Sequence, residues 1–221
     1  MSFELDRDGL ALLPGLIDPA QLSVMQFLAE AHSGAGTRIF GNPRLEAWLK
    51  GGPVGATVRA IFGREVRPVR AILFDKNAEA NWALGWHQDR TIAVRQQVRD
   101  EPGFDHWTIK SGVAHVEPPF SFIEKMVTAR IHLDDVNDDN GPLLVSPGSH
   151  RFGRIGEADV DETVERCGTA ACLAGRGDVW LYRTAILHAS DKSRSEAPRR
   201  VLQVDYSSDD LPGQLEWLGI G

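Results

Sequence analysis

His87-Gln88-Asp89 places an imidazole and a carboxylate on either side of one residue. In an extended strand, residues two apart project from one face, so both side chains point the same way. Two ligands of a facial metal triad are then supplied, and a second histidine from a neighbouring strand is needed to complete it. Two histidines are candidates. His150 ends Ser146-Pro147-Gly148-Ser149-His150, a tight turn in which a polar exposed residue is the ordinary occupant. His188 lies in the apolar run from Trp180 to Ser190. Burying an unpaired imidazole there would cost on the order of a few kcal/mol, which a metal bond would offset. Ser190 shares a strand face with His188 and adds a hydrogen-bond donor. Arg199 follows His188 by eleven residues and opens the next strand. Its planar fork suits bidentate capture of one end of a dicarboxylate.

Other residues invite chemistry with less force. Asp135-Val136-Asn137-Asp138-Asp139-Asn140-Gly141 is rich in oxygen ligands. A calcium loop of the EF-hand type needs glycine sixth and a bidentate glutamate twelfth, whereas here glycine is seventh and Ser146 twelfth. An acidic hairpin turn accounts for the segment. Arg90, Arg95 and Arg99 read as a solvated face, or as a series steering an anionic substrate toward the His-x-Asp strand. Trp86, His106, Trp107, Lys110 and His115 flank or fill a polar insertion over 95–119. Both a substrate lid and aromatic packing onto a barrel rim are open for it.

These side chains need a scaffold, and the chain changes period near residue 65. Asp18-Pro19-Ala20-Gln21 is a helix start, with a capping acceptor, proline at the first helical position and glutamine at the third. Leu22, Met25, Leu28 and Ala29 continue it as an apolar stripe. A second helix is predicted from Pro53 to Phe62, stopped by Gly63. Strands are predicted over Val66–Phe74, Trp86–Val94, Val127–Leu133, Leu143–Ser146, Asp178–Tyr182 and Arg199–Asp205. Glycine, proline and asparagine clusters separate them, which suggests a β sandwich or barrel. The 221 residues suit one domain: a helical flank over 1–65, a β core over 66–206 and a tail over 207–221.

Composition bounds the function. Twenty-four Lys and Arg against 31 Asp and Glu give a formal charge of −7, which argues against phosphate backbones and anionic membranes as partners. A small-molecule substrate fits better. No apolar run reaches the ~20 residues of a membrane span, and the N-terminus lacks a signal peptide's basic and apolar regions. Cys167 and Cys172 are too few for a disulfide scaffold. A cytoplasmic protein is expected.

Three blocks now stand together: Trp86-His87-Gln88-Asp89; Asn140-Gly141-Pro142-Leu143 with Pro147-Gly148-Ser149-His150; and Gly177-Asp178-Val179-Trp180 with His188-Ala189-Ser190 and Arg199. In order and spacing they resemble the phytanoyl-CoA dioxygenase-like branch of the iron(II)/2-oxoglutarate-dependent oxygenases, over about residues 70–205. The resemblance implies a mainly β double-stranded β-helix, a cupin-like jelly roll with N-terminal helices outside. It implies Fe(II) on His87, Asp89 and His188, with 2-oxoglutarate as co-substrate alongside dioxygen. Arg199 and Ser190 would bind the 5-carboxylate of 2-oxoglutarate, and Arg130 and Ile72 would line its pocket. Lys76, His132 and Trp107 are candidates on the substrate side. A carboxylate at Asp89 implies hydroxylation rather than halogenation. Two other functions stay open at this stage: a metal- and 2-oxoglutarate-binding module without oxidation, and a cupin-like enzyme using another metal. The resemblance names no substrate, because function is set by the site grafted onto the fold.

Overall fold

The computed structural model describes residues 3–30, 36–98 and 101–221. Arg99, and the side chains of Leu28 and Ala29 in the expected apolar stripe, lie outside the described residues. The helices are α1 (Leu5–Asp8), α2 (Pro19–Glu30), α3 (Pro43–Gly51), α4 (Pro53–Phe62), α5 (Phe120–Glu124) and α6 (Val160–Cys167). The strands are β1 (Leu10–Leu13), β2 (Thr37–Ile39), β3 (Arg67–Lys76), β4 (Leu84–His87), β5 (Ile92–Val94), β6 (Asp105–Lys110) and β7 (Val113–Glu117). They continue with β8 (Val127–His132), β9 (Leu143–Val145), β10 (Ala170–Cys172), β11 (Val179–Arg183), β12 (His188–Ser190) and β13 (Arg199–Ser207).

A major sheet runs β1-β11-β8-β13-β3-β2 and a minor sheet β10-β9-β12-β4, every pairing antiparallel. Together they make the double-stranded β-helix. Period-2 alternation divides the major sheet's side chains. Ala71, Leu73, Ala129, Ile131, Leu202 and Val204 point outward, into a core shared with the helices. There they meet Leu22 and Met25 of α2, Leu45 and Leu49 of α3, and Val54 and Val58 of α4. Burying each of these larger side chains is worth roughly 1.5–3 kcal/mol. Tyr206 at the end of β13 fastens this layer by donating to the Leu49 carbonyl, 3.0 Å away.

The opposite face of the same strands carries the polar set Arg70, Lys76, Thr128, Arg130, His132, Arg199, Gln203 and Asp205, all buried or nearly so. Register confirms the shared face: Gln203 of β13 pairs with Ile72 on one side and Arg130 on the other, and Arg199 pairs with Lys76. A row of buried polar groups on an otherwise apolar scaffold is the position of the site.

The local signals behave as their physics requires at the first long helix. The Gln21 backbone N–H donates to Asp18 Oδ1 at 2.8 Å and the Asp18 N–H to Gln21 Oε1 at 3.2 Å, a reciprocal cap. Helix α4 ends at Gly63 in the left-handed conformation. Elsewhere the structure corrects the sequence reading. Two strands, β1 and β2, lie inside the segment expected to be helical and extend both edges of the major sheet. They are four and three residues long, too short for periodicity to identify them, and long-range pairing decides them. The predicted strand Trp86–Val94 is two strands in different sheets, broken after His87. Much of the insertion folds as β6 and β7, which join β5 in a sheet over an apolar cluster shared with Val69, Ile123 and Leu215 and including Val94, Phe104 and Val116.

Candidate metal centre and anion pocket

His87 ends β4 and His188 opens β12, and the two are paired directly in the minor sheet. Their rings lie 4.2 Å apart between centroids. Asp89 stands beyond the strand end, so strand alternation is not what aims it. Gln88 does that work. Its side-chain amide donates to the carbonyls of Gly153 at 2.9 Å and Ala185 at 2.7 Å, and its Oε1 accepts from the Ile155 N–H at 2.9 Å. With Gln88 held in the protein on three bonds, the turn delivers Asp89 to the histidines. One ligand atom from each of His87, Asp89 and His188 lies within 4.8 Å of the others.

The donor set fits a transition metal, and the tautomers are fixed for it. Nδ1 of His87 lies 2.8 Å from the Gly85 carbonyl and Nδ1 of His188 3.0 Å from that of Ile186. A carbonyl only accepts, so both Nδ1 atoms carry the proton and both Nε2 lone pairs are free for a metal. Burial, with His87 beside it, lowers the His188 pKa to about 4, so this ligand is neutral at pH 7. Burial opposes ionisation of Asp89, but Arg70 outweighs it, with help from the two imidazoles, and holds the carboxyl below its usual range. Arg70 Nη2 donates to Asp89 Oδ2 at 3.1 Å, and its Nε bonds to Asp205. Asp205 accepts from Thr128 at 3.0 Å, and Thr128 meets Thr184 at 2.9 Å. This chain braces the carboxylate from behind.

The triad opens into a cavity of about 220 Å³. Arg199, Ser190, Arg130 and Ile72 line it, together with Phe74, Trp82 and Gln203. Arg199 is 2% exposed, and its Nε has no partner. Burial, followed by the neighbouring Arg130, lowers its pKa to about 9. Lys76 is fully buried behind Ser190 and donates to its Oγ at 2.9 Å and to the Asp191 carbonyl. Burial, then Arg199 and Arg130, brings its pKa to about 8. Gly141 has φ +67°, and a Cβ there would lie 2.9 Å from Lys76 Nζ and 2.7 Å from the Asp191 carbonyl. Only glycine lets the Asn140-Gly141-Pro142 turn approach this corner. Three buried cations with no carboxylate bonded to them among the described residues fit a dianion, as a co-substrate dicarboxylate requires.

The remaining predicted residues are placed as follows. His132 is buried on the same inward face as Arg130, both ring nitrogens unpartnered, but it does not line the cavity. Trp107 packs against the apolar cluster beneath the β5-β7-β6 sheet rather than the cavity. Arg90 donates to the Ile155 carbonyl and Arg95 pairs with Glu216, so neither faces the triad. His150, in a short 3₁₀ turn, packs beside Gly9, away from the metal ligands. Cys167 and Cys172 are unpaired. Sequence reading missed Arg70, which the period-2 spacing from Ile72 could have found. It also missed Arg38 on β2, for which the sequence offers no signal.

A jelly roll carrying a His-x-Asp and a distant His on facing strand ends defines the class. The family model described as phytanoyl-CoA dioxygenase (PhyH) matches residues 5–201, and the chain belongs to that family. Among solved structures, EctD from S. alaskensis in its apoform is 20% identical, with a TM-score of 0.70 over 98% of this chain and 78% of that one. The same protein with 2-oxoglutarate and 5-hydroxyectoine gives 21% identity and a TM-score of 0.69, over 92% of this chain and 73% of that one. HygX from Streptomyces hygroscopicus, with nickel, 2-oxoglutarate and hygromycin B bound, is 16% identical, with a TM-score of 0.62 over 92% and 84%. At these identities the likeness shows the fold. No curated protein sequence matches the chain. Among the described residues, no helix is long and apolar enough to cross a membrane.

Proposed function

We propose that this chain is an Fe(II)- and 2-oxoglutarate-dependent dioxygenase that hydroxylates a small organic molecule. The carrying observation is one cavity holding both a three-donor metal cluster and a buried guanidinium without a carboxylate partner among the described residues. His87, Asp89 and His188 would hold the iron by Nε2, carboxylate oxygen and Nε2. When bound, the iron with 2-oxoglutarate and dioxygen supplies the oxidation, and 2-oxoglutarate leaves as succinate and carbon dioxide.

The protein's part is positioning and exclusion. Arg199 and Ser190 would bind the 5-carboxylate of 2-oxoglutarate, with Lys76 polarising the Ser190 hydroxyl from behind. Arg130 is steadied by Gln203 Oε1 at 2.7 Å and by the Phe74 ring, 5.3 Å from its guanidinium carbon, and Ile72 closes the wall between. With only three protein ligands, a bound metal would be free to take 2-oxoglutarate and dioxygen as well. Asp89 would serve as a metal ligand where a small residue would leave room for a halide, which favours hydroxylation. The test is iron-dependent conversion of 2-oxoglutarate to succinate under air. Asp89→Ala should reduce it more than about 100-fold; a mutant that turned over like the parent would defeat the reading.

A further inference from the structure

We propose that Arg38 and Lys110 form a second anion-binding group in the same cavity, which recognises a carboxylate or phosphate on the substrate. This rests on the oxygenase reading above and adds the substrate class to it. Both residues line the cavity with the triad. Arg38 belongs to the edge strand β2, paired opposite Ile72, so it shares the inward face of the major sheet. Lys110 ends β6 of the separate three-stranded sheet. Two sheets that do not hydrogen-bond to each other thus bring one cation each to one end of the cavity.

Charge balance separates this group from the first. Arg70 is compensated by Asp205 and Asp89. The Arg199, Lys76 and Arg130 group stands at the Ser190 corner, and a bound dicarboxylate would answer it. Arg38 and Lys110 make no ion pair among the described residues, and Arg38 Nε is buried without a partner. Burial, then Arg70, depresses the pKa of Arg38; burial, then Arg38 and Arg70, depresses that of Lys110. The two cations therefore repel each other beside Arg70, whereas Lys76 is opposed by Arg199 and Arg130. The charge of a 2-oxoglutarate dianion would be taken up by the metal and the cations of the Ser190 corner, so none of it would be left to answer the Arg38 end. Arg38 Nε is shut off from water, whereas Lys110 is exposed at the cavity mouth and feels Asp89 only weakly; like charges held together with so little counter-charge are a cost that an anionic ligand reduces. Because Arg70 touches Asp89 at 3.1 Å, an anion held there keeps its carbon skeleton close to the metal ligands. The cavity volume limits that skeleton to a small metabolite.

The test uses protein loaded anaerobically with Fe(II) and saturating 2-oxoglutarate, titrated calorimetrically with matched pairs. These are small hydroxy and amino acids against their amides, and sugar phosphates against the parent sugars. Failure to load iron and 2-oxoglutarate would defeat the parent reading and is seen before any titrant is added. The expected result is an acid bound at least about tenfold more tightly than its neutral partner. The pair that responds tells carboxylate from phosphate. Arg38→Gln should raise the Kd of that acid by about tenfold or more and Lys110→Gln by several-fold, while Arg38→Lys recovers most of the affinity. Four outcomes overturn the proposal. They are neutral partners bound as tightly as the acids, no acid bound at all, both variants binding the acid as the parent does, or 2-oxoglutarate affinity falling by the same factor. The last would assign the two cations to the co-substrate.

Discussion

Arg199 sits 2% exposed with no carboxylate paired to it among the described residues, so its charge is a burden until a ligand arrives. Two opposite effects of one substitution follow. In protein without ligand, Arg199→Met should raise stability by about 1–3 kcal/mol, read as a higher denaturant midpoint at unchanged slope. The same change should weaken 2-oxoglutarate binding by roughly 100-fold or more, because one partner of a buried charge pair is gone. A residue kept only for packing would lower stability and leave co-substrate affinity alone. His87, Asp89 and His188 could be picked out in the sequence as a candidate cluster only in conjunction, because a His-x-Asp alone is common and gains weight from a distant histidine in an apolar run and an arginine opening the next strand. The choice of His188 over His150 also rested on residue-scale physics, since a turn satisfies a polar ring and an apolar run does not. Arg38 was not legible, because nothing local marks an arginine whose partners are missing.

The β4 to β5 connection shows what elements add. Reading Trp86–Val94 as one strand put His87 and Asp89 on one face, and the residues do meet, but by another route. The strand stops at His87, and Gln88 anchors the turn to Gly153, Ala185 and Ile155. Gln88→Leu should therefore cost about 2–4 kcal/mol by stranding buried backbone groups. It should also lower metal affinity about 10–100-fold, measured by competition with a chelator, since the turn would no longer hold Asp89 in place. If metal affinity stayed level while stability fell, Gln88 would be a structural residue only. The capped start of α2 and the Gly63 stop of α4 were readable from sequence because capping is settled within a few residues. Strands β1 and β2 were not, because their hydrogen bonds go to β11 and β3, far along the chain.

Across the whole molecule, an acidic chain encloses a cationic interior, and burial forces several histidines to stay neutral. Burial first, then neighbouring cations, lowers His132 to about 3; burial likewise brings His115 to about 4. Their ordinary value near 6.5 returns on unfolding. Between pH 6.5 and pH 4 the unfolded chain takes up protons that the folded one refuses, so stability rises with pH and falls on acidification. Thermal unfolding of the metal-free protein should show the midpoint dropping from pH 6.5 toward pH 5. His132→Leu should flatten that slope by up to about 1.4 kcal/mol per pH unit; an unchanged slope would mean that His132 already takes its proton in the folded state. By itself the sequence determined the three candidate metal ligands that the fold brings together, the capped helices and the jelly-roll class, all of which rest on residue type, short spacing or period. Only the tertiary structure decided what braces Asp89, which strands complete the sheet edges, and where positive charge stands without an answering carboxylate. Charge compensation and edge pairing act through space between distant segments, and no local pattern in the chain encodes them.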